Sequence, residues 1–170
     1  MVQVLPLRGL RYDQTKADLT TVLAPPYDVI SPDQRDVMWN QSPYNMVHLI
    51  LNRDPDPYGS AARSIQQWRD EGVLVLDAQP SYYIHYQGYT HPETSQALTR
   101  KGVLLRIKAE PFSIAGVRAH ELTLSGPKAD RLKLFEATQC NFSPVFGLMP
   151  DPDQALLDWM HAVTAAQPPA

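Results

Sequence analysis

The sequence predicts an α+β fold, a mixed, mostly antiparallel sheet with helices packed on one side. Strand-like and helix-like stretches follow one another without a regular βαβ alternation, which argues against a doubly wound sheet. Two alternating stretches joined by a short polar loop read as a hairpin. The 16 prolines gather at loop-like places such as Pro25-Pro26, Pro55 and Pro57, and Pro150 and Pro152, which implies fixed turns and short elements. A chain of 170 residues is long enough for one domain with a real core. We expect that domain over 1–163, followed by a frayed or truncated Pro-rich tail over 164–170.

In chain order, Val2–Leu5 reads as a short strand and Arg8–Thr20 as polar and irregular. Leu23–Ile30 is an extended loop, because a residue before proline is pushed out of the helical region. Ser31-Pro32-Asp33-Gln34 then starts a helix to about Gln41: Ser31 caps, Pro32 fits the first position and Gln34 completes a capping box. Ser42–Asn45 breaks it, and Met46–Leu51 reads as a strand. Ser60–Glu71 is a helix with an Ala61, Ile65, Trp68 stripe and Gly72 as its stop.

Val73–Leu76 is extended. Tyr82–Tyr89 and Leu98–Ile107 form the hairpin, and a third strand leads into His120. Lys128–Ala137 is a helix with Ala129, Leu132 and Phe135 inward. Pro144–Leu148 reads as a strand, and Asp153–Val163 as a last helix with Leu156, Trp159, Met160 and Val163 at i, i+3, i+4, i+7.

The net charge of −3 gives no bulk attraction to nucleic acid or an anionic membrane, and no basic-aromatic recognition motif is present. No stretch reaches transmembrane length. One cysteine, Cys140, with no signal-like N-terminus, suits a cytoplasmic protein.

The chemistry concentrates between residues 118 and 147. His120 and Glu121 stand together at a strand end, where one would serve as acid/base or metal ligand while the other holds a cation. Their plain structural reading is a backbone-bonded His and a solvated Glu. Ser125-Gly126-Pro127 opens a helix whose first turn carries Lys128, Asp130 and Arg131. Unpaired amides, the helix dipole, Lys128 as a point charge and Arg131 as a fork make an anion site. The alternative is a well-capped helix with Asp130 paired to a neighbouring cation. Neither a P-loop nor a Gly-x-Gly-x-x-Gly pattern occurs. The double proline of Ala24–Ser31 would present Tyr27 and Asp28 at a fixed angle, with Asp28 as a Mg²⁺ ligand or proton acceptor. Against this stands a rigid connection with Tyr27 packed. Asn45 and Asn141, at turns, complete the candidates.

Taken together, APPYDVIS (24–31), SPYNMVHL (42–49), YYIHYQGY (82–89), RKGVLLRI (100–107) and HELTLSGPKADRLKLFEATQCNFSPVFGL (120–148) resemble the DUF1015 family of bacterial and archaeal proteins. The motifs run in the family's order. The resemblance implies that this chain is the N-terminal portion of a longer type of protein. It also implies a phosphorylated or carboxylated small metabolite as ligand class, through an association with serine biosynthesis. It raises the standing of Tyr27, Asp28, Asn45, His120, Glu121, Lys128, Asp130, Arg131 and Asn141 without giving them roles.

The expectation is a small-metabolite enzyme, with His120, Glu121 and Asp28 as catalytic groups and Lys128, Arg131, Asp130, Asn141, Tyr27 and Asn45 as ligand contacts. Phosphoryl transfer linked to serine metabolism suits these parts, with Mg²⁺ as the cofactor to consider. The alternative is a non-catalytic ligand-sensing or interaction module using the same anion pocket. The expected partner is a small anionic metabolite, with no nucleic acid and no membrane.

Overall fold

A computed structural model describes residues 2–112, 116–119 and 124–167. The fold is α+β, and among the described residues its strands pair antiparallel, in three two-stranded sheets. The sequence reading treats 1–163 as one domain. The chain divides into two compact units, each built from discontinuous stretches: Met1–Leu7, Pro80–Val117 and Pro144–Ala170 in one, Arg8–Gln79 and Arg118–Ser143 in the other. Among the described residues, no helix is long and apolar enough to cross a membrane.

The first unit is built on a hairpin. Strand β4 (Tyr83–Thr90) pairs with β5 (Ala97–Leu104) from Tyr83↔Leu104 to Thr90↔Ala97. The predicted second strand is interrupted after Leu104, and β6 (Arg106–Ile107) pairs instead with β1 (Val4–Leu5). Helix α6 (Ala155–Ala166) buries Met160, leaves Trp159 exposed, and runs three residues past the expected Val163. The side chain of Asp151 accepts from the amides of Leu156 and Leu157, tying down its first turn. No strand forms over 144–148, where Val145, Phe146 and Leu148 are exposed. Apolar alternation alone does not make a strand when no edge is paired with it. The third strand expected before His120 is absent from 116–119, and its remaining positions lie outside the described residues.

The second unit is largely helical. Part of the stretch expected to be irregular forms β2 (Leu10–Tyr12), which pairs with β3 (Leu74–Leu76), and α1 (Leu19–Val22), whose first turn is capped by the Asp18 carboxylate. Helix α2 (Pro32–Gln41) starts on the expected reciprocal capping box of Ser31 and Gln34. Helix α4 (Pro57–Asp70) buries the expected Ala61, Ile65 and Trp68 against Val22, Leu49, Ile50, Val73 and Leu74. It stops at Gly72, whose φ of +67° is a left-handed conformation that favours glycine.

The expected strand Met46–Leu51 is instead a one-turn helix, α3 (Val47–Ile50). A short apolar run buried on all sides has no periodicity to separate the two forms. Asn45 decides it: its side-chain oxygen accepts from the Val47 amide at 3.0 Å and its NH₂ donates to the Thr21 carbonyl at 2.7 Å. Asn45 is fully buried, and the Met46 amide donates to the Val22 carbonyl beside it. Without this amide the buried Val47 donor would be orphaned, at about 1–3 kcal/mol, and the part-buried Thr21 carbonyl would lose this bond.

Behind α3, the His48 Nε2 lies 3.1 Å from the carbonyls of Trp39 and Ser42, with its ring 3.9 Å from the Trp39 ring. Burial lowers the His48 pKa; the two carbonyls oppose the shift, Arg53 adds to it, and Asp54 opposes it.

Asn45→Ala should destabilise the chain by about 3 kcal/mol, read from urea midpoints; a loss below about 1 kcal/mol would refute the clasp. His48 titrates lower in the folded than in the unfolded chain, so its contribution is full above about pH 6.5 and declines as pH falls through the folded value. Thermal melts between pH 7.5 and 5.5 should therefore show a loss that His48→Gln blunts.

Candidate functional site

Helix α5 (Ser125–Thr138) begins three residues earlier than the sequence suggests. Leu124 occupies the cap position and offers no side-chain cap. Pro127 falls in the first turn, where its missing N–H costs no helical bond but removes one free donor. The Lys128 amide already bonds the Leu124 carbonyl, at 3.4 Å. The anion nest expected at this terminus is thus depleted, and Lys128 is exposed.

The helix also turns a different face inward. Leu132 and Phe135 are about half exposed and Ala129 is exposed, while Leu134 is buried and Asp130, Arg131 and Thr138 are half-buried. The inward face therefore carries a charged pair, and its partners come from three other places in the unit. The Arg131 Nη2 donates to the Ile50 carbonyl at the end of α3, at 3.0 Å. The guanidinium lies over the Tyr27 ring, 4.2 Å from its centroid. The Nε donates to the Asp130 Oδ2 at 2.8 Å, and Nη2 bonds the same oxygen. The Asp130 Oδ1 accepts from the Tyr58 hydroxyl of α4 at 2.8 Å.

These residues wall a cleft of about 170 Å³, lined by Tyr27, Ile50, Tyr58, Asp130, Arg131 and Leu134 among others. Typical small-molecule pockets span about 300–1,000 Å³, so this one suits a few heavy atoms, not a nucleotide. Arg131, which lines the cleft, also carries one unmet group: its Nη1 is buried with no hydrogen-bond partner among the described residues. Buried guanidinium nitrogens are normally satisfied, and leaving one bare costs about 1–3 kcal/mol or more. Partial burial pushes the Asp130 carboxyl up, but the Arg131 and Tyr58 hydrogen bonds and the Arg131 charge outweigh it, so Asp130 titrates below the usual carboxylate range. The Tyr58 hydroxyl is shifted up, chiefly by its bond to Asp130.

Of the residues singled out from sequence, Tyr27, Asp130 and Arg131 meet here. Lys128, Asp28 and Asn141 are exposed and do not line the cleft. Asn45 is buried with its amide committed to the backbone, so its place is architectural. His120 and Glu121 lie outside the described residues. Among the described residues, no group of three or more His, Cys, Asp or Glu is placed to hold a metal ion. Sequence reasoning missed Tyr58 and the Ile50 carbonyl. Tyr58 follows the capping Asp56 and Pro57 at the start of α4, a position that places a tyrosine without signalling its partner.

Comparison with known proteins places the chain. The sequence profile of one family, described as protein of unknown function (DUF1015), matches residues 4–170, and the chain belongs to that family. No curated protein and no solved structure matches it.

Tyr58→Phe should raise the Asp130 pKa, followed by carboxyl-carbon NMR, because it deletes a hydrogen bond that favours the carboxylate. The same variant should lose about 1 kcal/mol of stability. An unmoved Asp130 titration would separate the two groups in solution.

Proposed function

We propose that this member of the DUF1015 family binds a small anionic metabolite through Arg131, in the cleft between the Tyr27 turn, α3, α4 and α5. The observation that carries the reading is that Arg131 lines a small cleft while its Nη1 is buried and has no hydrogen-bond partner among the described residues. A carboxylate or similar acceptor would satisfy it by a charge-assisted bond. Tyr27 and the Ile50 carbonyl hold the guanidinium in place before any ligand arrives. Such preorganisation lowers the cost of binding. Because Nη1 is closed off from solvent, entry requires a side-chain adjustment of the kind common at binding sites.

The ligand-sensing form of this reading has the better support. Phosphoryl transfer would call on Asp28, which is exposed and outside the cleft lining, and on His120 and Glu121. The size of the cleft also favours a carboxylate-sized head over a nucleotide. A cytoplasmic setting fits Cys140, a half-buried free thiol whose pKa is raised by desolvation, as in a packed and unreactive cysteine.

The test is an amide NMR titration with acetate, phosphate and glycine. At least one probe should shift resonances clustered at Tyr27, Ile50, Tyr58 and Arg131. Arg131→Gln should weaken that binding by at least about tenfold, or about 1.4 kcal/mol, while keeping the wild-type circular dichroism spectrum. Shifts scattered over the surface, or unchanged in the variant, would remove the site.

A further inference from the structure

The same cleft discriminates among anions, an inference that rests on the Arg131 site proposed above. The guanidinium is not a free positive charge. Asp130, next along α5, bonds it through Nε and Nη2 and carries an opposite charge into the same wall. A purely anionic ligand that reaches Nη1 also approaches the Asp130 carboxylate. Repulsion from Asp130 then offsets part of the attraction to Arg131.

Asp130 is itself incompletely used. A carboxylate has about four lone-pair sites. Oδ2 serves Nε and Nη2 of Arg131, and Oδ1 serves the Tyr58 hydroxyl, which among the described residues leaves an acceptor site on Oδ1. The Asp130 side chain as a whole is 42% exposed, and its lowered pKa keeps it charged at neutral pH. One bare donor on Arg131 and one spare acceptor on Asp130 therefore stand on consecutive residues, in a space for few heavy atoms.

We infer that the cleft takes a small zwitterion with an ammonium and a carboxylate on neighbouring atoms, the carboxylate on Arg131 Nη1 and the ammonium on Asp130 Oδ1. The backbone end of an α-amino acid has this form. Tyr58 acts as a positioning residue: its hydroxyl occupies one side of Oδ1 and orients the carboxylate. The apolar lining from Leu49, Leu51, Pro57 and Leu134 admits only a short side chain on the ligand.

The experiment compares glycine, acetate, methylammonium and trimethylglycine on the intact chain by NMR titration. Glycine should bind at least about tenfold tighter than acetate or methylammonium. Trimethylglycine, which keeps both charges but has no N–H donor, should bind more weakly than glycine. Asp130→Asn should reduce the preference of glycine over acetate to near unity. Acetate binding as tightly as glycine through Arg131 would overturn the zwitterion and leave the anion site standing. Binding of no probe through Arg131 would overturn both. A glycine preference that survives Asp130→Asn would overturn the role of Asp130. If that variant does not fold, the ranking of the four probes on the wild-type chain decides the question alone.

Discussion

A single buried amide underlies the geometry of the helical unit. Asn45 is closed off from solvent, and its side chain joins the Thr21 carbonyl at the end of α1 to the Val47 amide at the start of α3. That bond turns a short apolar run into a helical turn and directs the Ile50 carbonyl toward α5, where Arg131 uses it. On the other side, α1 leads into the double-proline segment that delivers Tyr27. The two walls that grip the guanidinium thus diverge from one clasp. A residue that sequence reasoning assigns to ligand contact builds the cleft without lining it.

The second organising feature is the charged face of α5. A helix normally turns its apolar residues inward. Here the inward face has one fully buried apolar residue, Leu134, and is completed by Asp130 and Arg131, whose polar atoms are met by Tyr58, Ile50 and each other. A partly buried ion pair is weak evidence for stability, because desolvation offsets much of its attraction. It does fix the rotation of a helix, since only one orientation satisfies these partners. The atom left without a partner among the described residues once that orientation is set, the Arg131 Nη1, is the one on which the functional proposal stands.

Much of the scaffold was legible from local rules. The capping box at Ser31, the Ala61, Ile65, Trp68 stripe, the stop at Gly72 and the β4 strand each depend on neighbours within a few residues. The failures share a different cause. The helical form of 47–50 follows from a side chain that ties the neighbouring Val47 amide to the distant Thr21 carbonyl, and the orientation of α5 follows from partners far away in the chain. Leu132 and Phe135 looked like core by spacing and remain half exposed, because the polar partners of Arg131 outrank apolar periodicity. For the site, the residue types Tyr27, Asp130 and Arg131 were visible, while Tyr58 and the position of the cleft away from the helix terminus were not.

The Tyr58–Asp130 and Arg131–Ile50 bonds span 72 and 81 positions of sequence. The chain between them leaves the helical unit, forms the hairpin and returns. Closing so long a loop carries an entropic cost before any contact rewards it, and contacts of this separation slow folding. The cleft therefore comes into being only with the arrival of α5, as the seam of the unit and not as a cavity inside it. Any molecule held in that seam is a non-covalent staple across a long excursion of the chain, and its occupancy and the docking of α5 are two sides of one equilibrium.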